Sequence, residues 1–136
     1  MEKINKKTII ILSFLIILII IALFVFKYES KNIKVKDFYK DAVEIVPNQY
    51  VIIKDSKQYR FTYFYNDNSF FITFLEKPVK EDRIKAEEDL LKILGINKKG
   101  ACRLIIHEVI PWTVDKKYGG INYNLSFCPD SLPFPQ

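Results

Sequence analysis

At 136 residues the chain has room for one ordinary domain core, and part of that length goes to an apolar N-terminal run. Hydrophobic residues make up 49% of the sequence, which excludes a disordered or low-complexity chain. The formal charge of +5 falls to +3 after Phe26, once Lys3, Lys6, Lys7 and Glu2 are set aside; so weak an excess, with no basic stripe, argues against a nucleic-acid partner.

Residues 1–7 read as a short cytoplasmic leader. Thr8 to Phe26 carries no charge and is almost wholly Ile, Leu, Phe and Val, with Lys6, Lys7 and Lys27 at its flanks. At about 1.5 Å per residue such a run crosses a hydrocarbon core of roughly 30 Å, so a transmembrane helix over 8–26 is expected, with the bilayer as its partner. A cleaved signal peptide is the rival reading. Its apolar region would be shorter and end in small residues, whereas this run ends Ala22-Leu23-Phe24-Val25-Phe26. Lys3, Lys6 and Lys7 are packed tightly before the helix, while Lys27, Lys31, Lys34 and Lys36 are diluted by Glu29 and Asp37. That asymmetry favours a single-pass protein with its N-terminus in the cytoplasm and its C-terminal domain outside the cytoplasmic membrane.

Residues 27–49 read as a juxtamembrane stalk. Val35, Phe38, Tyr39, Ala42, Val43 and Val46 fall near helical spacing before Pro47, so a short amphipathic helix fits there, although Val43 to Val46 could equally begin a strand. The expected domain is 50–128. Tyr50 to Ile53, Tyr59 to Tyr65 and Ser69 to Leu75 form strands of an antiparallel meander, turned at Asp55-Ser56-Lys57 and Asn66-Asp67-Asn68.

A helix opens at Pro78, with Glu81 and Asp82 in its first turn and Gly95 as a left-handed cap from which Ile96 folds back on Leu91. Its apolar face is Val79, Ala86, Leu90, Ile93 and Leu94. Arg83 interrupts that stripe and is expected to turn its charged head outward. Glu81, Asp82, Glu87, Glu88 and Asp89 read as surface charge.

The last elements read as a wide hairpin, Cys102 to Val109 against Ile121 to Cys128, with Pro111 to Gly120 as its loop and 129–136 as a proline-rich tail. The fold class is then α+β, a small antiparallel sheet with one main helix, in the order β-β-β-α-β-β. In that register Ile105 faces Leu125, Glu108 faces Asn122, and Cys102 stands opposite Cys128.

A cross-strand disulfide between Cys102 and Cys128 follows from that register and the outside placement, with two buried free thiols as the alternative. His107, the single histidine, falls five residues from Cys102 and so on the opposite strand face, roughly 16 Å away, which leaves no Cys–His dyad. It reads as a partly buried strand residue beside Tyr123. Neither a metal cluster nor a glycine-rich phosphate loop is visible, so no cofactor, metal or catalytic residue is expected.

Tyr59, Phe61, Tyr63 and Tyr65 alternate along one strand, and Phe70, Phe71, Ile72 and Phe74 leave its neighbour apolar on both faces. One helix covers only one side of a sheet, so the aromatic ladder is either core or a possible partner surface.

From about Tyr59 the chain resembles a group of N-terminally anchored proteins of the candidate-phyla-radiation bacteria (Patescibacteria). The resemblance lies in Tyr59-Arg60-Phe61 and Tyr65, Ser69-Phe70-Phe71-Ile72-Thr73-Phe74-Leu75, Leu94-Gly95-Ile96, Ala101-Cys102, Leu104, Pro111, Gly120, Tyr123 and Leu125-Ser126-Phe127-Cys128. It implies a bacterial, membrane-tethered, extracytoplasmic protein whose two cysteines recur as a pair, and it carries no activity to transfer.

The functional expectation is a non-enzymatic module that binds a protein partner at the cell envelope. The alternative is a small envelope hydrolase or a sugar- or ligand-binding module using the aromatic sheet face. An open concavity with clustered polar groups would favour the ligand, and a flat aromatic face the protein partner.

Overall fold

The computed structural model describes residues 12–22, 33–77 and 80–135. The chain divides into two units, Met1–Ile33 and Lys34–Gln136. In the first unit residues 12–22 are helical with exposed side chains. Among the described residues no helix is long and apolar enough to cross a membrane. The remainder of the expected 8–26 span lies outside the described residues, together with the leader 1–7 and residues 27–32.

The second unit is α+β. A 3-10 turn, Phe38–Asp41, is followed by strands β1 (Glu44–Val46), β2 (Tyr50–Asp55), β3 (Tyr59–Phe64) and β4 (Ser69–Phe74), helices α1 (Lys80–Leu94) and α2 (Lys98–Ala101), and strand β5 (Ile105–Val109). The five strands form one sheet in the order β1-β2-β3-β4-β5. Between Pro47 and Tyr50, Asn48 takes the left-handed φ of 61° that lets so short a connection reverse the chain. Asn68, with φ 56°, does the same before β4. The 35–46 helix is therefore reduced to one 3-10 turn, because the β-branched Val43, Ile45 and Val46 instead extend along the edge of β2.

The sheet is mixed where a purely antiparallel one was expected. Strands β1 to β4 are antiparallel neighbours, but β5 runs parallel to β4, from Ser69 opposite Ile105 to Thr73 opposite Val109. A parallel pair needs a long crossover, and α1 supplies it. With its edge on β4, strand β5 does not open a hairpin. Residues 121–135 meet its backbone at the bridge Val109–Asn122 and through the bond from Tyr123 N–H to Glu108 O at 2.9 Å, and the Asn122 side chain accepts from Glu108 N–H at 3.2 Å. That contact is one residue out of the expected register, and Asn124, at φ 54°, ends the extended path at once. The order β-β-β-α-β-β is thus corrected to β-β-β-β-α-α-β.

Helix α1 closes as its sequence suggests: Gly95 has φ 64° and Ile96 N–H returns to Leu91 O at 3.1 Å. Pro78 and Val79 lie outside the described residues. The core lies between α1 and one face of the sheet, where Val51, Phe61, Phe70, Ile72 and Phe74 meet Ala86, Leu90 and Leu94, with Phe38, Ile110, Tyr123 and Leu125 around them. Burial of so many aromatic and branched side chains at roughly 25 cal/mol per Å² is the main stabilising term for a unit this size. Asp89 pins helix to sheet, accepting from Lys54 Nζ at 2.5 Å and from the Tyr59 hydroxyl at 2.6 Å.

Candidate functional site

The aromatic ladder considered as a partner surface belongs to the interior. Tyr59 and Phe61 are 3% and 0% exposed, and Tyr63 and Tyr65 are partly buried against the same core. The alternation along β3 is real, but its odd-numbered residues point toward α1. Ring contacts hold them there: Phe38 stacks on Tyr39 at 4.6 Å and meets Tyr63 edge-on at 5.2 Å.

The opposite face of the sheet carries a second aromatic row. Register places Tyr50, Phe64 and Ser69 side by side with Ile105, and Ile52, Thr62 and Phe71 side by side with His107. Phe64 lies between Tyr50, at 6.2 Å, and Phe71, at 5.1 Å, and Phe71 stands 4.7 Å from the His107 ring. None of Tyr50, Phe64, Phe71 or His107 belongs to the core cluster. The sequence signal for this row was Phe71 beside Phe70, which makes β4 apolar on both faces.

Thr62, Phe64, Asn66, Asp67, Phe71 and Thr73 line an open concavity of about 310 Å³ on this face. Asp67 Oδ1 accepts from Ser69 N–H at 3.2 Å and Ser69 Oγ–H at 2.6 Å, and the hydroxyl bond to Ser69 is the main reason its carboxyl titrates below the usual range. His107 Nδ1 pairs with Asn122 Nδ2 at 2.6 Å, so its neighbour is Asn122 rather than Tyr123, whose ring is buried on the other side.

The cysteines are joined: Sγ of Cys102 and Sγ of Cys128 are bonded at 1.97 Å, with Cα atoms 5.6 Å apart. No hairpin brings them together. Cys102 caps α2, and Cys128 follows a turn in which its N–H returns to Leu125 O at 2.9 Å. A cleft of about 220 Å³ opens beside the bridge, lined by Cys102, Ile105, His107, Asn124, Cys128 and Asp130 among others. Cys102 precedes strand β5 and is not on it, so strand parity does not part it from His107; its sulfur is held in the disulfide.

A buried charged cluster is the feature the sequence conceals most. Arg83, 5% exposed, does not turn outward. Its Nε donates to Glu108 Oε2 at 2.7 Å, its other nitrogens donate to the carbonyls of Leu132, Tyr123 and Asn124 and to Ser131 Oγ, and its plane lies 4.4 Å from the Phe134 ring centre. Glu87, read as surface charge, is 3% exposed and accepts both the N–H and, at 2.5 Å, the hydroxyl of Ser126.

The Glu108 side chain, 0% exposed, faces this centre, while its backbone N–H meets Asn122 Oδ1 at 3.2 Å. Burial, reinforced by the neighbouring Glu87 carboxylate, pushes its carboxyl up to about 9. Among the described residues its Oε1 has no hydrogen-bond partner. The cluster fastens 123–132 to α1 and β5. The Arg83, Glu87 and Glu108 side chains line neither concavity.

Among the described residues no three His, Cys, Asp or Glu side chains gather as a metal site, and nothing there indicates a catalytic activity. No family model, curated protein or solved structure matches the chain.

Proposed function

We propose that this chain is a single-pass, membrane-tethered module that holds its α+β domain outside the cytoplasmic membrane and binds a protein partner at the cell envelope through the outer face of the sheet. The observation that carries this reading is the one-sided core. Helix α1, the 3-10 turn and the 121–135 segment supply core residues on one side, while the Tyr50–Phe64–Phe71–His107 row is left out of that core. A half-buried aromatic row that lies outside the core of a small domain is a surface suited to association. The uncharged run Thr8 to Phe26, the tighter lysine cluster before it and the likeness to anchored proteins of Patescibacteria support the tether and its orientation.

The decisive experiment places a photoreactive residue at Phe71, or at Lys85 on the solvent side of α1, in the full-length protein within its native membranes. Protein adducts from position 71 and not from 85 are expected; equal yields from both would remove the outer face as the binding surface. Thiol-reactive or proteolytic probes added to intact cells should reach the domain. Complete protection would reverse the orientation.

A second reading has its own support. The concavity sets the Phe64 and Phe71 rings beside the hydroxyls of Thr62 and Thr73, the Asn66 amide and the Asp67 carboxylate, a mixture that suits a sugar ring. Binding of soluble oligosaccharides, lost in Phe71→Ala, would favour that ligand over a protein.

A further inference from the structure

Beyond the sheet face, the loop from Pro111 to Gly120 displays the chain's single tryptophan. Trp112 is 64% exposed, yet it is not loose. Val114 and Asp115 N–H both return to Pro111 O, at 2.9 and 3.1 Å, Gly119 N–H bonds Asp115 O at 2.8 Å, and Gly120 N–H bonds Ile110 O at 3.0 Å. Asp115 Oδ1 accepts from Lys117 N–H at 2.9 Å and Tyr118 N–H at 3.2 Å. The indole rests on Gly120 so closely that a Cβ there would sit 2.6 Å from its Nε1, and one on Gly119 would sit 2.7 Å from the Trp112 Cα. A large apolar ring is thus braced by its own loop and shown to solvent.

The surroundings are basic. Lys116 and Lys117 are exposed and, among the described residues, neither makes an ion pair, while Lys77 reaches Asp115 at 3.9 Å. Asp115, the carboxylate within the loop, is occupied by those backbone donors.

We propose that this tip is a docking anchor for an acidic segment of a partner protein, with Trp112 as the ring that becomes buried and Lys116 and Lys117 as the charged rim. Pre-ordered tryptophans surrounded by polar residues are the side chains that contribute most to protein interfaces, because little freedom remains to be lost. Lysines beside the ring select acidic chains by charge and speed encounter. Tryptophan with lysine also suits lipid headgroups. A protein is favoured because a fluid surface gains little from a fixed ring pose, whereas a folded partner gains from a ring already held in place.

The test uses full-length protein in its native membranes with a photoreactive residue in place of Thr113, which is exposed beside the ring. Captured peptides rich in Asp and Glu are expected, with yield reduced at least about tenfold by W112A and by the surface pair K116E/K117E. Adducts to lipid or glycan, peptides poor in acid, yields unmoved by the charge reversal, or no adduct at all would each overturn the proposal. Lys116 and Lys117 are exposed, with Lys117 Nζ 4.8 Å over the half-buried Tyr118 ring, so the loss of yield in K116E/K117E is read together with an unchanged Tm, and a lowered yield that only follows a lowered Tm would also overturn the proposal. Position 71 is probed in parallel, so that failure at the tip and failure at the sheet face are read separately.

Discussion

Arg83 Nε and Glu108 Oε2 meet at 2.7 Å inside the fold, and the same guanidinium carries the carbonyls of Leu132, Tyr123 and Asn124. The C-terminal segment has no strand of its own, so this one side chain does for it what a sheet ladder would otherwise do. Arg83→Leu strands those carbonyls and removes the guanidinium that lies 3.5 Å from the buried Glu87 carboxyl group. A loss of about 3–5 kcal/mol in urea unfolding of the detergent-solubilised protein is expected. A change under 1 kcal/mol would mean that water replaces the guanidinium at little cost.

Glu108 gives the protein a pH dependence of definite sign. Its folded carboxyl titrates near 9 against an ordinary value of 4.5, so between those values the folded state holds more protons than the unfolded one. The stability that this group contributes is fully present below pH 4.5 and is lost as pH rises toward 9. Glu108→Gln keeps the neutral shape and removes the titration. The wild-type Tm should fall as pH rises across that window, and the variant should fall less. Parallel curves for the two would assign the buried proton elsewhere.

The disulfide is expected to stabilise by loop closure. Cys102 and Cys128 are 26 positions apart, and a loop of that length is worth about 3.5 kcal/mol on the chain-entropy model. It also closes the same segment that Arg83 holds, so the two constraints share a task. In a double-mutant cycle, Cys102→Ser with Cys128→Ser should make Arg83→Leu more damaging than either change alone predicts. Strict additivity would show that segment 123–132 stays docked when either tie is cut.

The local pattern in the sequence carried the strands and the helix. Alternating β-branched and aromatic runs marked β2, β3 and β4, and Gly95 marked the end of α1, because these signals are backbone preferences that act within a few residues. What failed depended on distant partners. A charged residue in a helical stripe reads as exposed unless one knows that Glu108 and a run of carbonyls await it, so Arg83 and Glu87 were placed in solvent. Strand β5 was given the wrong neighbour because the sequence shows an apolar strand without showing whose edge it takes. The Cys102–Cys128 bridge was anticipated through a hairpin that does not form, and a turn brings the two together instead. The odd-numbered ladder of β3 reads from the sequence as either core or partner surface, because parity is visible there but which parity faces the helix is settled by the whole sheet.

The tip loop offers a test of how tightly Trp112 is held. At Gly120 a methyl would sit 2.6 Å from the indole Nε1 and the backbone has φ 73°, whereas at Gly119 the obstacle is Asp115 O, also at 2.6 Å. A side-chain ring can swing aside, but a backbone carbonyl cannot without breaking the bond that Gly119 N–H makes to it. Gly120→Ala should therefore release the ring, with a cost of about 1–2 kcal/mol from the left-handed backbone. Gly119→Ala should cost more and loosen the whole loop. Since the chain has one tryptophan, fluorescence anisotropy reads its mobility without interference. Lower local anisotropy in Gly120→Ala is expected, with amide exchange slowed as before at Gly119 and Asp115. Unchanged anisotropy would show that the indole is not braced by Gly120, and that its exposed pose is one of several.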